Sequence, residues 1–253
     1  MSYSAIKVIK EALTGHRGWK PLWRRPEPKA EYDIIIIGGG GHGLATAYYL
    51  ASEYKNKKIA VLEKGWLGGG NIGRNTTIFR SNYLLHDNEK FYEMSLKLWE
   101  QFEQDLNYNA MISQRGVINL FHSDAQRDAY IRRGNTMLIN GADAILLNKD
   151  DLRKKCPFLN YDNARFPIQG GLWQPRGGTI RHDAVAWGYA RAADQLGVDI
   201  IENCEVTGFD IKNGKCSAVI TNRGKIKAKK FGVAVAGSSS AVMANAGLQL
   251  PIE

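Results

Sequence analysis

Residues 33–43 read Asp-Ile-Ile-Ile-Ile-Gly-Gly-Gly-Gly-His-Gly, a short aliphatic run that leads directly into a glycine-rich loop. A continuous aliphatic run of this kind is typical of a parallel strand that is buried on both faces. The next segment, Leu44–Tyr54, has the pattern of a helix, and Lys58–Glu63 has the pattern of a second buried strand. Together they predict a β-α-β unit and an α/β fold class.

The loop carries the spacing Gly38-x-Gly40-x-x-Gly43 between a strand and a helix. In this context the first glycine makes a tight turn, the second lets a pyrophosphate approach the backbone, and the third lets helix and strand pack closely. Glu63, 25 positions after Gly38, ends the second strand, where an acidic side chain binds ribose hydroxyls. These residues predict a dinucleotide site. NAD and FAD both fit, and NADP is disfavoured because Glu63 would repel a 2′-phosphate.

A later strand, predicted at Phe231–Ala236, is followed by the small residues Gly237, Ser238 and Ser239. We expect it to return beside the first β-α-β unit and to bring Gly237 near the same pyrophosphate. An arrangement this discontinuous in sequence favours a flavoprotein over a simple NAD dehydrogenase.

The rest of the chain reads as a mixture of helices and strands. Apolar residues at helical spacing (Phe91, Met94, Leu98, Phe102 and Leu106) predict a helix over Asn88–Asn107. Further predicted elements are helices at Asp124–Asn140 and Asp183–Leu196, strands at Gly116–Phe121 and Val198–Val206, and a hairpin of Phe209–Ile211 and Cys216–Thr221 around Asn213-Gly214.

The net charge of +9 is concentrated near the N-terminus, since residues 1–30 carry +5 of it. We expect this segment to be an irregular basic tail that is either solvated or docked on a partner. Nucleic-acid binding is not expected, because a clustered basic patch with groove-reading elements is missing from the sequence pattern. No apolar run reaches the roughly 18 residues of a membrane span, so no membrane association is predicted.

The cysteines are Cys156, Cys204 and Cys216, an odd number without a C-x-x-C pair. This favours a reducing, cytoplasmic compartment over a disulfide framework. No spacing of histidines or carboxylates predicts a metal site.

Several stretches are similar to one group of flavoenzymes. They are Tyr32–Glu63, Lys64–Asn71, Arg74–Tyr83, Ser113–Val117, Asn119–His122, Arg181–Trp187 and Asn203–Gly208. On these residues the chain resembles the D-amino-acid-oxidase-like flavoenzymes, and within them the family of beta subunits of heterotetrameric sarcosine oxidases. The resemblance covers almost the whole chain from about residue 17.

The resemblance implies a Rossmann-like FAD-binding domain in discontinuous segments, with a sheet-rich substrate domain inserted between them. It implies oxidation of the N-methyl carbon of sarcosine by hydride transfer to non-covalent FAD, which leads to glycine. Electrons would pass to a covalently bound FMN and then to O2. The implied partners are sarcosine, O2 and the alpha, gamma and delta subunits of a hetero-oligomer.

Arg80 and Tyr83 are the candidate catalytic residues. Related monomeric enzymes hold the substrate carboxylate with an arginine of an R-x-x-R-x-x-Y stretch, and Arg80 and Tyr83 match its second arginine and its tyrosine, whereas Thr77 departs from the first arginine. A guanidinium binds a carboxylate through two parallel hydrogen bonds. The alternative for Arg80 is a surface or phosphate-facing arginine.

His182 matches the histidine that carries FMN in this family, although by itself it also fits a polar residue at a helix start, with Asp183 as the N-cap. The full set of predicted cofactor-binding residues is Gly38, Gly40, Gly41, His42, Gly43, Glu63, Lys64, Asn71, Arg74, Asn75, Thr76, His182, Val206 and Gly237. For those in loops and strands, ordinary structural roles are the alternative.

We expect a basic tail at 1–30, FAD-binding segments at 31–110 and 181–253, and a substrate-domain segment at 111–180, with the fold continuing beyond residue 253. Two other functions stay open. One is a related FAD-dependent amine oxidase or dehydrogenase acting on dimethylglycine, glycine or proline. The other is a non-catalytic dinucleotide-binding subunit.

Overall fold

The computed structural model describes residues 4–19, 21–83 and 85–252, without the side chain of His86. The chain divides into two compact units. The first unit combines the residues up to Asn71 with those from Tyr189 onward, and the second unit is Ile72–Gly188. These divisions differ from the predicted boundaries after residues 30, 110 and 180. The assignment of a function to each segment stays a prediction.

Helices and strands alternate along much of the chain. The helices are α1 (Ala5–Leu13), α2 (Gly41–Glu53), α3 (His86–Asp105), α4 (Asp124–Ile139), α5 (Lys149–Lys155), α6 (His182–Gln195) and α7 (Ser239–Ala244). The strands are β1 (Glu31–Ile37), β2 (Ile59–Leu62), β3 (Ile78–Phe79), β4 (Val117–Phe121), β5 (Ile145–Asn148), β6 (Gly170–Gln174), β7 (Gly178–Thr179), β8 (Asp199–Ile201), β9 (Val206–Lys212), β10 (Lys215–Thr221) and β11 (Gly224–Val233). None of the described helices is long and apolar enough to cross a membrane.

The first unit contains a six-stranded sheet in the order β8-β2-β1-β11-β10-β9. The first four strands are parallel, and all four residues of β2 are buried, as expected for aliphatic strands covered on both faces. This confirms the predicted β-α-β unit of β1, α2 and β2. The antiparallel β9–β10 hairpin is also confirmed, with Asn213 and Gly214 both at positive φ as a two-residue turn requires.

The last strand, β11, lies parallel to β1 and pairs Val233 with Ile37. The predicted return of this strand beside the β-α-β unit of β1, α2 and β2 is therefore confirmed. The predicted bounds Phe231–Ala236 were wrong at both ends. The strand begins earlier, at Gly224, because an antiparallel pairing with β10 precedes the parallel pairing with β1. It ends at Val233, and Ala236–Ser238 forms a 3-10 turn.

The predicted strand Val198–Val206 was also wrong, because only Asp199–Ile201 forms β8. Asn203 adopts a positive φ of 52° and donates its backbone N–H to the Gly65 carbonyl at 2.9 Å. Cys204 donates in the same way to the Glu63 carbonyl at 2.8 Å. These bonds take the chain out of the sheet ladder and hold it against the loop that follows β2.

The N-terminal segment is not wholly irregular, which corrects the expectation for residues 1–30. Helix α1 forms there, with Ser4 Oγ accepting the Lys7 backbone N–H as its N-cap. Further along, Lys29 Nζ lies 2.6 Å from Asp199 Oδ2, and Arg24 Nε lies 2.8 Å from Asp194 Oδ1. Part of the positive charge of the tail is therefore paired within the first unit.

The Asp199 carboxylate is 1% exposed and accepts a second hydrogen bond from the Tyr32 hydroxyl at 3.1 Å. Burial raises the pKa of Tyr32 to about 12, so this hydroxyl keeps its proton at physiological pH. The pair joins the start of β1 to the start of β8.

The second unit contains an antiparallel sheet in the order β4-β6-β5 and a short β3–β7 pair. Helix α3 runs along this unit, close to its predicted bounds. Its predicted apolar face was partly wrong, since Phe91 is 69% and Met94 is 57% exposed, whereas Glu89 and Glu93 are buried. The reason is that the face carrying Glu93 meets polar partners from the turn after β6 and the loop after β3, as described below.

Candidate functional site

The three glycines of the loop have three different surroundings. Gly38 has a φ of +106°, and a Cβ there would lie 2.4 Å from the carbonyl oxygen of Ala234, the first residue after β11. A Cβ at Gly43 would lie 1.9 Å from the Gly38 carbonyl oxygen, so only glycine permits this approach of α2 to the turn. A Cβ at Gly40 would meet no described heavy atom within 4 Å. The middle glycine therefore faces open space, where a ligand can approach the backbone.

Helix α2 begins at Gly41 with Gly40 as its N-cap, and no described side chain caps it. Its first backbone N–H groups and the positive end of its dipole are available to an anion such as a phosphate. Gly41 and His42 form the first turn, and His42 is exposed. This geometry suits the diphosphate of a dinucleotide.

Glu63 is the first residue after β2 and its carboxylate is tied to the loop. Its Oε2 accepts the backbone N–H of Gly39 at 2.7 Å, and its Oε1 accepts that of Gly65 at 2.9 Å. Each carboxylate oxygen can accept more than one hydrogen bond. The carboxylate is thus fixed at the end of β2 and can still accept ribose hydroxyls.

The other predicted cofactor-binding residues have varied positions. Val206 is buried and belongs to the core cluster that includes Ile37, Leu62 and Cys204. Gly237 lies in the exposed 3-10 turn three residues beyond Ala234, which contacts the Gly38 turn. The exposed residues after β2 are Lys64, Asn71, Arg74, Asn75 and Thr76. No described contact assigns these five a ligand role.

Arg80 and Tyr83 lie together in the second unit. The guanidinium carbon of Arg80 lies 4.9 Å from the centre of the Tyr83 ring, and that ring stacks on Tyr92 at 3.6 Å with an interplanar angle of 16°. Arg80 Nη1 also donates to Asn82 Oδ1. Burial raises the pKa of Tyr83, so its hydroxyl is protonated at neutral pH.

The Arg80 guanidinium forms no ion pair with a carboxylate of residues 4–19, 21–83 or 85–252. An arginine carries five N–H donors and keeps its charge at any ordinary pH. The side chain is half-buried, held on one side by Asn82 and Tyr83. The Arg80 guanidinium can therefore bind the carboxylate of a ligand without first breaking an ion pair within the described residues.

A buried polar network fixes the backbone beside Arg80. Ser81 donates its backbone N–H to Gln174 Oε1 at 3.0 Å and its hydroxyl to Glu93 Oε2 at 3.0 Å. Arg176 Nη1 in turn lies 2.6 Å from Glu93 Oε1. Sequence reasoning missed this network, and the chain offers no local signal for it, because its members are polar residues far apart in sequence.

His182 is the first residue of α6, so Asp183 lies two positions after the N-cap position, and the prediction that it caps this helix was wrong. Asp183 lies in the first turn, where its Oδ1 accepts the Ala184 N–H at 2.7 Å and pairs with Arg181. The hydrogen bond from Arg181 is the main reason why the pKa of Asp183 lies below its usual range. His182 Nδ1 is buried and has no hydrogen-bond partner among the described residues.

The described residues contain no group of three or more His, Cys, Asp or Glu side chains that could hold a metal ion. All three cysteines are free thiols. Gly38–Gly43, Glu63, Val206 and Gly237 belong to the first unit, and Arg80, Tyr83 and His182 belong to the second.

Comparison with known proteins decides the family. The family described as FAD dependent oxidoreductase (DAO) matches residues 33–253. The chain belongs to this family. Its glycine loop and α2 N-terminus fit the diphosphate of FAD, because the middle glycine is open and the terminal glycines are closely packed.

Curated relatives of this FAD dependent oxidoreductase include two sarcosine oxidase beta subunits. The sarcosine oxidase subunit beta of Rhizobium meliloti is 64% identical over all of this chain, which covers 61% of that protein. The sarcosine oxidase subunit beta of Rhodobacter capsulatus is 47% identical over 99% of this chain, which again covers 61% of that protein. The chain thus spans about three fifths of the length of these relatives, and the resemblance seen in its sequence is confirmed.

Among solved structures, the L-proline dehydrogenase from P. horikoshii superposes with a TM-score of 0.82 at 24% identity. The match covers 89% of this chain and 58% of that one. This similarity confirms the mixed α/β fold class, including its Rossmann-like nucleotide-binding part.

Proposed function

We propose that the protein is a flavoprotein subunit that oxidises sarcosine to glycine. The observation that carries this proposal is the 64% identity, over the whole chain, to a sarcosine oxidase beta subunit. The guanidinium of Arg80, which has no ion-pair partner in the part of the chain that the structure describes, supports it, since sarcosine carries a carboxylate that must be held. The two other functions are less well supported, because the dimethylglycine dehydrogenase of Rattus norvegicus and the pyruvate dehydrogenase phosphatase regulatory subunit of Mus musculus are only 25% and 26% identical to this chain.

In this proposal the first unit holds the diphosphate and ribose of FAD, and the second unit holds the substrate carboxylate. Gly38, Gly40 and Gly43 form the diphosphate cradle, and Glu63 binds ribose. FAD, when bound, supplies the hydride acceptor for the N-methyl carbon, and water hydrolyses the resulting imine to glycine and formaldehyde. Gly41, His42, Lys64, Asn71, Arg74, Asn75, Thr76, Val206 and Gly237 stay proposed contacts of this cofactor.

Arg80 is proposed to bind the sarcosine carboxylate in a bidentate manner, as a planar guanidinium does. The Tyr83 ring, whose centre lies 4.9 Å from the guanidinium carbon, would hold Arg80 in place by a cation–π contact. Neither residue needs to change protonation state. Their part in the reaction is to fix the amino acid so that its methyl group has one orientation.

His182 is proposed to carry a second flavin, FMN, by a covalent bond. The support is its match to the flavin-linked histidine of the resembling family and the absence of a partner for its Nδ1 among the described residues. We further propose that electrons reach O2 through this FMN and that the chain works with alpha, gamma and delta subunits. The beta-subunit names of the relatives support a multi-subunit assembly.

Substitution of Arg80 tests the substrate assignment. In the full-length protein with its partner subunits, we expect Arg80→Ala to raise KM for sarcosine about ten- to a hundredfold, since a charge-assisted contact contributes about 1.5–3 kcal/mol. Arg80→Lys keeps the positive charge but loses the planar guanidinium that donates two parallel hydrogen bonds. We therefore expect a KM between those of the parent and of Arg80→Ala. Steady-state kinetics and the flavin absorbance spectrum are the measurements.

Arg132→Ala, at an exposed position of α4, is the matched control and should leave KM unchanged. The same assays with dimethylglycine, glycine and proline measure the substrate preference. An Arg80→Ala enzyme with an unchanged KM for sarcosine would remove Arg80 from the site. If the enzyme has a higher kcat/KM for one of the other amines than for sarcosine, that amine would be assigned as the substrate instead.

A further inference from the structure

Two side-chain amides, those of Asn82 and Asn119, link Arg80 to the neighbouring sheet through consecutive hydrogen bonds. Its Nη1 donates to Asn82 Oδ1, and Asn82 Nδ2 donates to Asn119 Oδ1 at 2.6 Å. Asn82 is fully buried in the loop after β3, and Asn119 lies on β4. The chain of contacts therefore ties the guanidinium to the sheet of the second unit.

The orientation of both amides follows from chemistry. A guanidinium can only donate, so the oxygen of Asn82 must face Arg80 and its NH2 group must face Asn119. Asn119 must then present its oxygen to receive that donor. Because each group has one possible role, the pair has a single arrangement.

The contact orients Arg80 without neutralising it. An amide oxygen accepts a hydrogen bond but carries no net charge, whereas a carboxylate at the same place would form an ion pair with the guanidinium. Glu93, an acidic side chain of the buried network beside Arg80, is already engaged by Ser81 and Arg176. Glu93 is thus bonded to other residues, and the side-chain oxygen that accepts from Arg80 is that of a neutral amide.

We propose that Asn82, fixed by Asn119, is a positioning residue that orients Arg80 for the carboxylate of the amino-acid substrate. This rests on the proposed role of Arg80 in sarcosine binding. The positioning role explains why a neutral asparagine, and not an aspartate of the same shape, suits position 82. An isosteric carboxylate there would occupy Arg80 and compete with the substrate.

The test uses the full-length enzyme with its partner subunits and sarcosine as the probe. We expect Asn82→Asp to raise KM at least about tenfold with kcat changed less than threefold, because the introduced carboxylate competes for Arg80 in the ground state and the transition state alike. Asn135→Asp adds the same charge on the exposed surface of α4 and should leave KM unchanged.

Two variants of Asn119 separate positioning from a merely structural role. Asn119→Leu removes the acceptor of Asn82, and we expect a rise in KM of about three- to tenfold, as for loss of one neutral hydrogen bond. Asn119→Asp keeps an acceptor oxygen and should restore most of that loss. Flavin content and thermal unfolding show whether each variant folds. If Asn82→Asp does not fold, the comparison of Asn119→Leu with Asn119→Asp tests the positioning role.

The proposal is overturned if Asn82→Asp and Asn119→Leu both keep KM within twofold of the parent, or if Asn119→Asp is impaired as strongly as Asn119→Leu. A lower kcat with an unchanged KM would also overturn it. Failure of the Arg80 assignment is distinguishable, since Arg80→Ala would then keep its KM. If Arg80→Ala raises KM but the asparagine variants do not, only the positioning role falls.

Discussion

Replacing Gly40 with valine is expected to remove FAD from a protein that still folds. No described heavy atom lies within 4 Å of a Cβ at this position, so the valine has room in the ligand-free chain. In the holoenzyme, the same space is needed by the diphosphate at the N-terminus of α2. We expect FAD affinity to fall at least about a hundredfold, which is about 2.8 kcal/mol. Flavin absorbance after gel filtration and the far-ultraviolet circular dichroism spectrum measure the two properties.

Gly43→Val is the contrasting variant of the same loop. Its Cβ would lie 1.9 Å from the Gly38 carbonyl oxygen, so here the protein itself must shift, and we expect loss of both the fold and the flavin. Gly232→Ala on β11 is the control that should keep both, because its Cβ meets only an ordinary contact at 3.8 Å. Full FAD occupancy in Gly40→Val would refute the phosphate loop as assigned.

The second large effect is expected at His182. Trypsin cleaves after Arg181 and Arg191, so the peptide 182–191 of the native complex should carry an FMN-sized adduct by mass spectrometry. His182→Asn should abolish the adduct completely, because an amide does not provide the nucleophilic ring nitrogen. Oxidase turnover should then fall to a small fraction of the parent, while sarcosine still bleaches the FAD absorbance band.

His122→Asn is the matched histidine variant and should keep the adduct. The His122 ring nitrogen Nδ1 already contacts the Phe166 and Pro167 carbonyl oxygens, at 3.2 and 3.3 Å. An adduct found on a different peptide would move the attachment site. A complex that contains FAD alone would contradict the two-flavin scheme and leave a single-flavin amine oxidase.

The nucleotide-binding half of the fold could be predicted because its signals are local. An aliphatic run, three glycines at fixed spacing and an acidic strand end lie within Asp33–Glu63, and each residue type has one steric or electrostatic reason to be there. The position of β11 could be predicted as well, because an aliphatic strand followed by small residues fits the neighbouring place in the sheet.

The surroundings of Arg80 could not be predicted in this way. Ser81 and Gln174 are 93 positions apart, and Asn82 and Asn119 are 37 apart. Polar side chains carry no periodic signature that would pair them over such distances. The same gap explains the error on α3, where helical periodicity selected Phe91 and Met94 as buried although Glu93 meets buried polar partners instead.

The parallel pairing of β1 with β11 has a consequence for synthesis on the ribosome. The Gly38 turn packs against the Ala234 carbonyl, yet these residues are separated by about three quarters of the 253-residue chain. Contacts between such distant residues form late, since the intervening chain must first be made and its loop closed. A nascent chain that has not yet released residue 234 carries the glycine motif without the strand that completes its turn. Flavin capture should therefore follow translation of β11, and until then the edge of β1 that pairs with β11 is open to pairing with another chain.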